Sequence, residues 1–117
     1  MRMPSLVIPV LLMAIAAPAA EAHAFLDHAD PRVGSTVPTA PRELALTYTQ
    51  KLEPAFSSVE VTDAGGQRVD LGKPSISADV MRVGLKPLPP GTYRVRWHVL
   101  SVDTHTTEGS FTFKVGP

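Results

Sequence analysis

No cysteine occurs anywhere in this chain of 117 residues, and that one absence removes a large share of metal and redox chemistry. Thiolate zinc sites, iron–sulfur clusters and copper sites with a cysteine ligand are excluded, so any metal must be held by nitrogen and oxygen donors. Disulfide staples, on which small exported domains commonly rely, are excluded too. Charge of one sign is also missing. The formal net charge is zero, and the cations from Arg32 to Lys114 are scattered rather than gathered on one stretch. Nothing is set to neutralise phosphates, so nucleic acid is not an expected partner. Long apolar runs are absent as well. The most apolar stretch, Leu6 to Ala17, has 12 residues and contains Pro9, whereas a membrane-spanning helix needs about 20.

What stands at the N-terminus reads as a targeting segment. Arg2 gives a short positive region, Leu6 to Ala17 an apolar one, and Ala20, Glu21 and Ala22 the small-x-small pattern that signal peptidases cut after. Residues 1–22 are therefore expected to be a signal peptide and 23–117 the working domain, with His23 as its first residue and no stable membrane insertion after processing. Removing 22 of the 117 residues leaves 95. The departing segment takes one cation, Arg2, and one anion, Glu21, so the remainder stays neutral. A neighbouring frame, Ala22, His23 and Ala24, would place the cut before Phe25 and delete the histidine.

Beyond Arg42 the dominant signal is alternation with period two. Leu44, Leu46 and Tyr48 lie on one side of a segment with Ala45, Thr47 and Thr49 on the other, which is the signature of a half-buried strand. The pattern returns at Val59 and Val61, at Val69 and Leu71, at Met81, Val83 and Leu85, from Tyr93 to Val99, and from Phe111 to Val115. Turn chemistry separates the runs at Asp63–Gly66, Gly72–Pro74 and Pro87–Gly91, and Pro31–Pro41 reads as a loop. With a short first strand near Ala24–Asp27, about seven strands predict an all-β domain, an Ig-like (Greek-key) β-sandwich or small barrel. Leu88–Tyr93, LPPGTY, is similar to the corner of such sandwiches where a tyrosine hydroxyl bonds back to the chain. Met81 alternates with Val83 and Leu85 and is expected in the core.

Candidate metal ligands are few. An N-terminal histidine offers both its α-amine and its imidazole to one cation, and the amine, with an ordinary pKa near 7.7–8.0, yields its proton readily to a metal. Copper(II), with its tetragonal preference and its place at the top of the divalent affinity series, gains most from such a set. In an extended segment residues two apart project to the same side, so Asp103 and His105 would converge. The same Asp-x-His could also be an ordinary polar turn between strands. His28 is a candidate fourth donor, but its odd separation from His23 places it on the opposite face of an extended strand and favours exposure, unless a bend at Ala29–Pro31 reverses the direction. His98 is expected on the face opposite Val95, Trp97 and Val99. Trp97 is expected in the core, and Asp27 and Asp30 are candidates for tuning the metal from its surroundings.

Three stretches resemble the CopC-type periplasmic copper-resistance proteins: HAFLDHADPRVGS from His23, TDAGGQRV from Thr62, and PLPPGTYRVRWHVLSVDTHTTEGSFTFKV from Pro87 to Val115. The resemblance implies a β-sandwich in the periplasm with a copper(II) site made of the N-terminal histidine, carried over to His23, and of Asp103 and His105. It also implies that the fold brings the first and last of these together. Members with a second, copper(I) site resemble one another in a methionine-rich central segment. Tyr48–Phe56 contains no methionine, so one copper(II) site and no copper(I) site are expected.

The expected function is that of a monomeric copper carrier or buffer, not an enzyme, whose partners are the copper ion and a membrane copper transporter. Two other functions are compatible with the same residues. Copper monooxygenases also join an N-terminal histidine to a β-sandwich, but Asp103 would fill the position that oxygen needs. A metal-free interaction domain is the third, since one sandwich scaffold hosts many functions.

Overall fold

The computed structural model describes residues 25–117; the expected signal peptide, its cleavage point and His23 lie outside the described residues. Eight strands form two packed four-stranded sheets, one strand more than expected. They are β1 (Leu26–Asp30), β2 (Thr36–Val37), β3 (Glu43–Tyr48), β4 (Ser58–Thr62), β5 (Ser75–Ser77), β6 (Val80–Gly84), β7 (Gly91–Leu100) and β8 (Thr106–Val115). One sheet runs β1-β3-β6-β5 and the other β2-β8-β7-β4. Every pairing is antiparallel except β2 with β8.

The alternation read from the sequence decides which face of each strand is buried. Leu44, Leu46 and Tyr48 meet Val61, Met81, Val95, Val99 and Phe113 in one core between the sheets, each buried aliphatic side chain contributing roughly 1.5–3 kcal/mol by transfer from water. Trp97 belongs to the same face but is only half-buried. Its ring stands edge-on to Tyr48, with centroids 5.3 Å apart, and covers Gly109 so closely that a Cβ there would lie 2.6 Å from a ring carbon. The cross-strand pair Trp97–Gly109 thus fits a large ring into a thin sandwich by removing the facing side chain. The tyrosine corner forms as expected, the Tyr93 hydroxyl donating to the carbonyl of Pro89.

Three expectations need correction. Val69 and Leu71 do not share a strand face, because Leu71 is 63% exposed. The chain crosses there from one sheet to the other, touching Thr62 through Arg68 and Leu85 through Asp70. Asp70 turns inward to accept the Val61 N–H at 2.9 Å and the Gly72 N–H at 3.3 Å, which breaks the alternation. Within the Pro31–Pro41 loop, Thr36 and Val37 add a short parallel strand to β8. The first strand also starts at Leu26 rather than Ala24.

Candidate metal centre

One end of the sandwich is sewn together by the β3–β4 connection. The Thr49 N–H donates to the Phe25 carbonyl at 2.9 Å, and the Phe25 N–H donates to Thr49 Oγ1 at 2.9 Å. Two residues on, the Val102 N–H donates to Lys51 at 3.0 Å, Leu52 bridges Ser101, and the Glu53 N–H donates to Leu100 at 2.8 Å. Thr49–Glu53 therefore ties the entry to β1 to the β7–β8 turn, where both described candidate ligands sit. These elements are neighbours in space although more than seventy residues separate Phe25 from Asp103 in sequence.

Asp103 and His105 come together, but not as members of an extended segment. Residues 101–104 form a tight turn, closed by bonds from the Thr104 N–H to the Ser101 carbonyl at 2.8 Å and from the Ser101 N–H to the His105 carbonyl at 3.0 Å. Thr104 takes a left-handed φ of 72°, a conformation that costs a β-branched residue about 1–3 kcal/mol. Chain reversal at Thr104, rather than strand alternation, puts the Asp103 carboxylate 3.5 Å from His105 Nδ1. Both the turn and the pairing expected of these residues are thus present together.

Ser101, which sequence reasoning passed over, holds the pair in place. It is fully buried, its hydroxyl donates to Asp103 Oδ1, and the His105 N–H donates to the same oxygen at 3.3 Å. The Ser101 hydrogen bond, helped by the His105 N–H and imidazole, outweighs desolvation and holds the Asp103 carboxyl below its ordinary pKa. An acid kept ionised and pinned through one oxygen presents the other to a cation. A signal for Ser101 was available: it continues the inward parity of Val95, Trp97 and Val99, and a hydroxyl at a core-facing position needs a partner.

The other candidates stand apart from this pair. His28 is exposed, as expected, with Nδ1 2.8 Å from Asp27 Oδ2, but not for the reason expected. A bulge between Leu26 and His28 shifts the register, so face counting along β1 fails across it. Asp30 ends β1 opposite Ala45, well down the strand from the Asp103 turn. His98 is exposed on the outer face, across from Glu108 and Ser58. Among the described residues no three His, Cys, Asp or Glu side chains converge, so Asp103 and His105 are a pair.

This geometry has counterparts. Residues 26–116 match the CopC domain family. The chain belongs to the CopC family. It is 36% identical over 110 residues to copper resistance protein C of Xanthomonas campestris pv. juglandis, covering 86% of this chain and 86% of that protein. Among solved structures, CopC from Methylosinus trichosporium OB3b superposes with a TM-score of 0.76 at 31% identity, covering 81% of this chain and 95% of that one. PcoC from Escherichia coli, a methionine-rich copper resistance protein, gives 0.71 at 32% identity, covering 80% and 98%. In this CopC domain the one methionine among the described residues, Met81, is buried to 1% exposure, where its thioether faces core and not solvent. At the turn the described donors are a carboxylate and an imidazole, an oxygen and a nitrogen rather than sulfur.

Proposed function

We propose that this CopC protein is exported, cut after Ala22, and then carries or buffers copper(II) in the periplasm through His23, Asp103 and His105. The observation that carries the reading is the tie through Thr49–Glu53, which joins the entry to β1 to the turn bearing Asp103 and His105. His23 stands two residues before Phe25, at most about 7 Å of extended chain. Its α-amine and imidazole would join one carboxylate oxygen and one imidazole, completing the four-donor set that copper(II) prefers. Copper is the cargo here, and the protein's part is to hold it without chemistry. With Asp103 adding an oxygen donor, the metal keeps no ready position for oxygen activation, so the reading is of a carrier and not an enzyme. Met81 in the core and a methionine-free Tyr48–Phe56 support a single copper(II) site without a copper(I) site. A monomer that releases its ion to a membrane copper transporter fits the same reading.

The test is titration of the processed protein with copper(II) against a competing chelator, beside His23→Ala, Asp103→Ala and a form retaining residues 1–22. All three are expected to bind more weakly, and N-terminal sequencing should begin at His23. If both substituted proteins bind as tightly as the wild type, the ligand set is wrong. Binding should weaken as pH falls, since protons compete for imidazole and amine nitrogens. Sustained peroxide formation from ascorbate and oxygen by the copper-loaded protein would replace the carrier reading with an enzymatic one.

A further inference from the structure

A neutral chain can still be an electric dipole, and strand register shows how this one is arranged. At the end bearing Asp103, the turns and strand termini carry Asp27, Glu53, Asp79, Asp103 and Glu108 against one lysine, Lys51. At the opposite end, where β3 and β7 begin and β6 and β8 finish, Arg68 is paired with Asp70 and Arg82 with Glu43. Arg42, Lys86, Arg94 and Lys114 remain there, exposed and without ion pairs among the described residues, against Asp63. Asp30, Arg32, Glu60, Lys73 and Arg96 belong to neither group, and the remaining charges are separated along the strands.

The basic end also holds an open apolar groove of about 820 Å³, lined by Pro41, Arg42, Leu71, Lys86, Pro87 and Pro89 over the buried Leu85 and Leu88. Leu71 is 63% exposed at its rim, held over Gly84. Apolar projections surrounded by lysine and arginine match the interfacial zone of an anionic bilayer, which rewards both. A peptide partner is less well served. This end presents turns rather than a strand edge for an added strand, and its cations stand on separate loops with no shared geometry for pairing carboxylates. A charged lipid surface needs only their summed field.

We infer that the end of the sandwich opposite the Asp103 turn docks this protein on anionic phospholipid, with Leu71 and the proline rim entering the interface and Arg42 and Lys86 meeting the headgroups. The ten residues of β7 then hold the candidate metal turn about 30 Å above the lipid, exposed to the aqueous side. The docking is independent of copper.

The experiment is sedimentation of the processed, exported protein with phosphatidylcholine vesicles, with and without phosphatidylglycerol, at low and at high salt. Binding is expected only with phosphatidylglycerol, lost at high salt as screening requires. Arg42→Glu combined with Lys86→Glu should weaken it more than tenfold, and Leu71→Asp several-fold, with copper(II) binding and the thermal unfolding midpoint unchanged. Leu71 is exposed, Arg42 has no ion pair among the described residues, and Lys86 makes only a 3.5 Å bond to the Arg68 carbonyl, so these variants fold if the wild type does. Equal binding to both vesicle types, no binding to either, or undiminished binding by the doubly substituted protein would overturn the inference.

Discussion

The two ends of this sandwich are closed by different means. At the Asp103 end, long-range main-chain hydrogen bonds through Thr49–Glu53 fix the backbone and leave Asp103 and His105 partly exposed. At the other end side chains do the closing: Asp70 is buried under Arg68, Tyr93 bonds back to Pro89, and prolines pack over Leu88. An end held by its backbone can spare polar side chains for a ligand, and it can tolerate a strained residue such as Thr104. The other end commits Asp70, Arg68 and Tyr93 to the fold itself. Substitutions should therefore separate binding from stability according to the end they strike.

The largest effect is expected at the Asp103 end, where binding is proposed. His105→Ala should lower copper(II) affinity at least about a hundredfold, more than loss of a supporting residue ordinarily does, while unfolding of the metal-free protein changes by no more than about 0.5 kcal/mol, because the side chain is half exposed. Competition titration and denaturant unfolding on the same sample check both halves. A large loss of stability with affinity intact would erase the contrast between the ends.

Asp70→Ala is the complementary substitution. It strands the Val61 N–H and frees Arg68 from a two-bond contact at 2.8 and 3.1 Å, and should cost about 2–3 kcal/mol of folding stability with copper(II) affinity unchanged. Burial pushes the Asp70 carboxyl up, but bonds from Arg68, Val61 and Gly72 outweigh it and hold the pKa below its ordinary value. Asp70 therefore contributes stability that is complete above the unfolded value, near 3.9, and is lost as pH falls through the lower folded value. Acid unfolding curves of wild type and Asp70→Ala should converge in that range and stay apart at neutral pH.

How far each end was legible follows from this difference. The sandwich, its core from Leu44 to Phe113 and the Tyr93 corner could be read because strands bury alternate residues and a corner has a local signature. Asp103 and His105 could be read as a pair, but the reason for their meeting could not. Alternation supposed a strand, whereas a left-handed Thr104 and a buried Ser101 make the turn, and a positive φ at threonine has no sequence signal. Asp70 was hidden for a related reason. Its neighbours Val69 and Leu71 imitate a strand, and only the crossing between sheets turns the carboxylate inward. The bulge at Leu26–His28 likewise left a correct exposure for His28 resting on a parity count that the strand does not keep.

Ser101→Ala tests whether the Asp103 end depends on its buried serine hydroxyl. The Ser101 N–H keeps its bond to His105, so the turn should persist and stability fall by about 1 kcal/mol. Asp103 would lose the hydrogen bond that fixes its carboxylate, and copper(II) affinity should drop about tenfold. A loss as large as that of His105→Ala would mean that Ser101 positions the whole turn and not one oxygen.

The smallest effect is expected where the two ends cannot be told apart by contacts alone. The Tyr48 hydroxyl is buried with no hydrogen-bond partner among the described residues, and burial pushes its pKa well above the ordinary tyrosine value. A buried hydroxyl left unpaired costs free energy that phenylalanine would not. Tyr48→Phe keeps the edge-on contact with Trp97 and should leave stability unchanged or raise it by up to about 1 kcal/mol, read from denaturant unfolding. Tyr48 directly precedes Thr49, the residue that receives Phe25. If the substitution instead destabilises the protein by more than about 1 kcal/mol, the hydroxyl is paired in solution, and the core itself reaches into the Asp103 end.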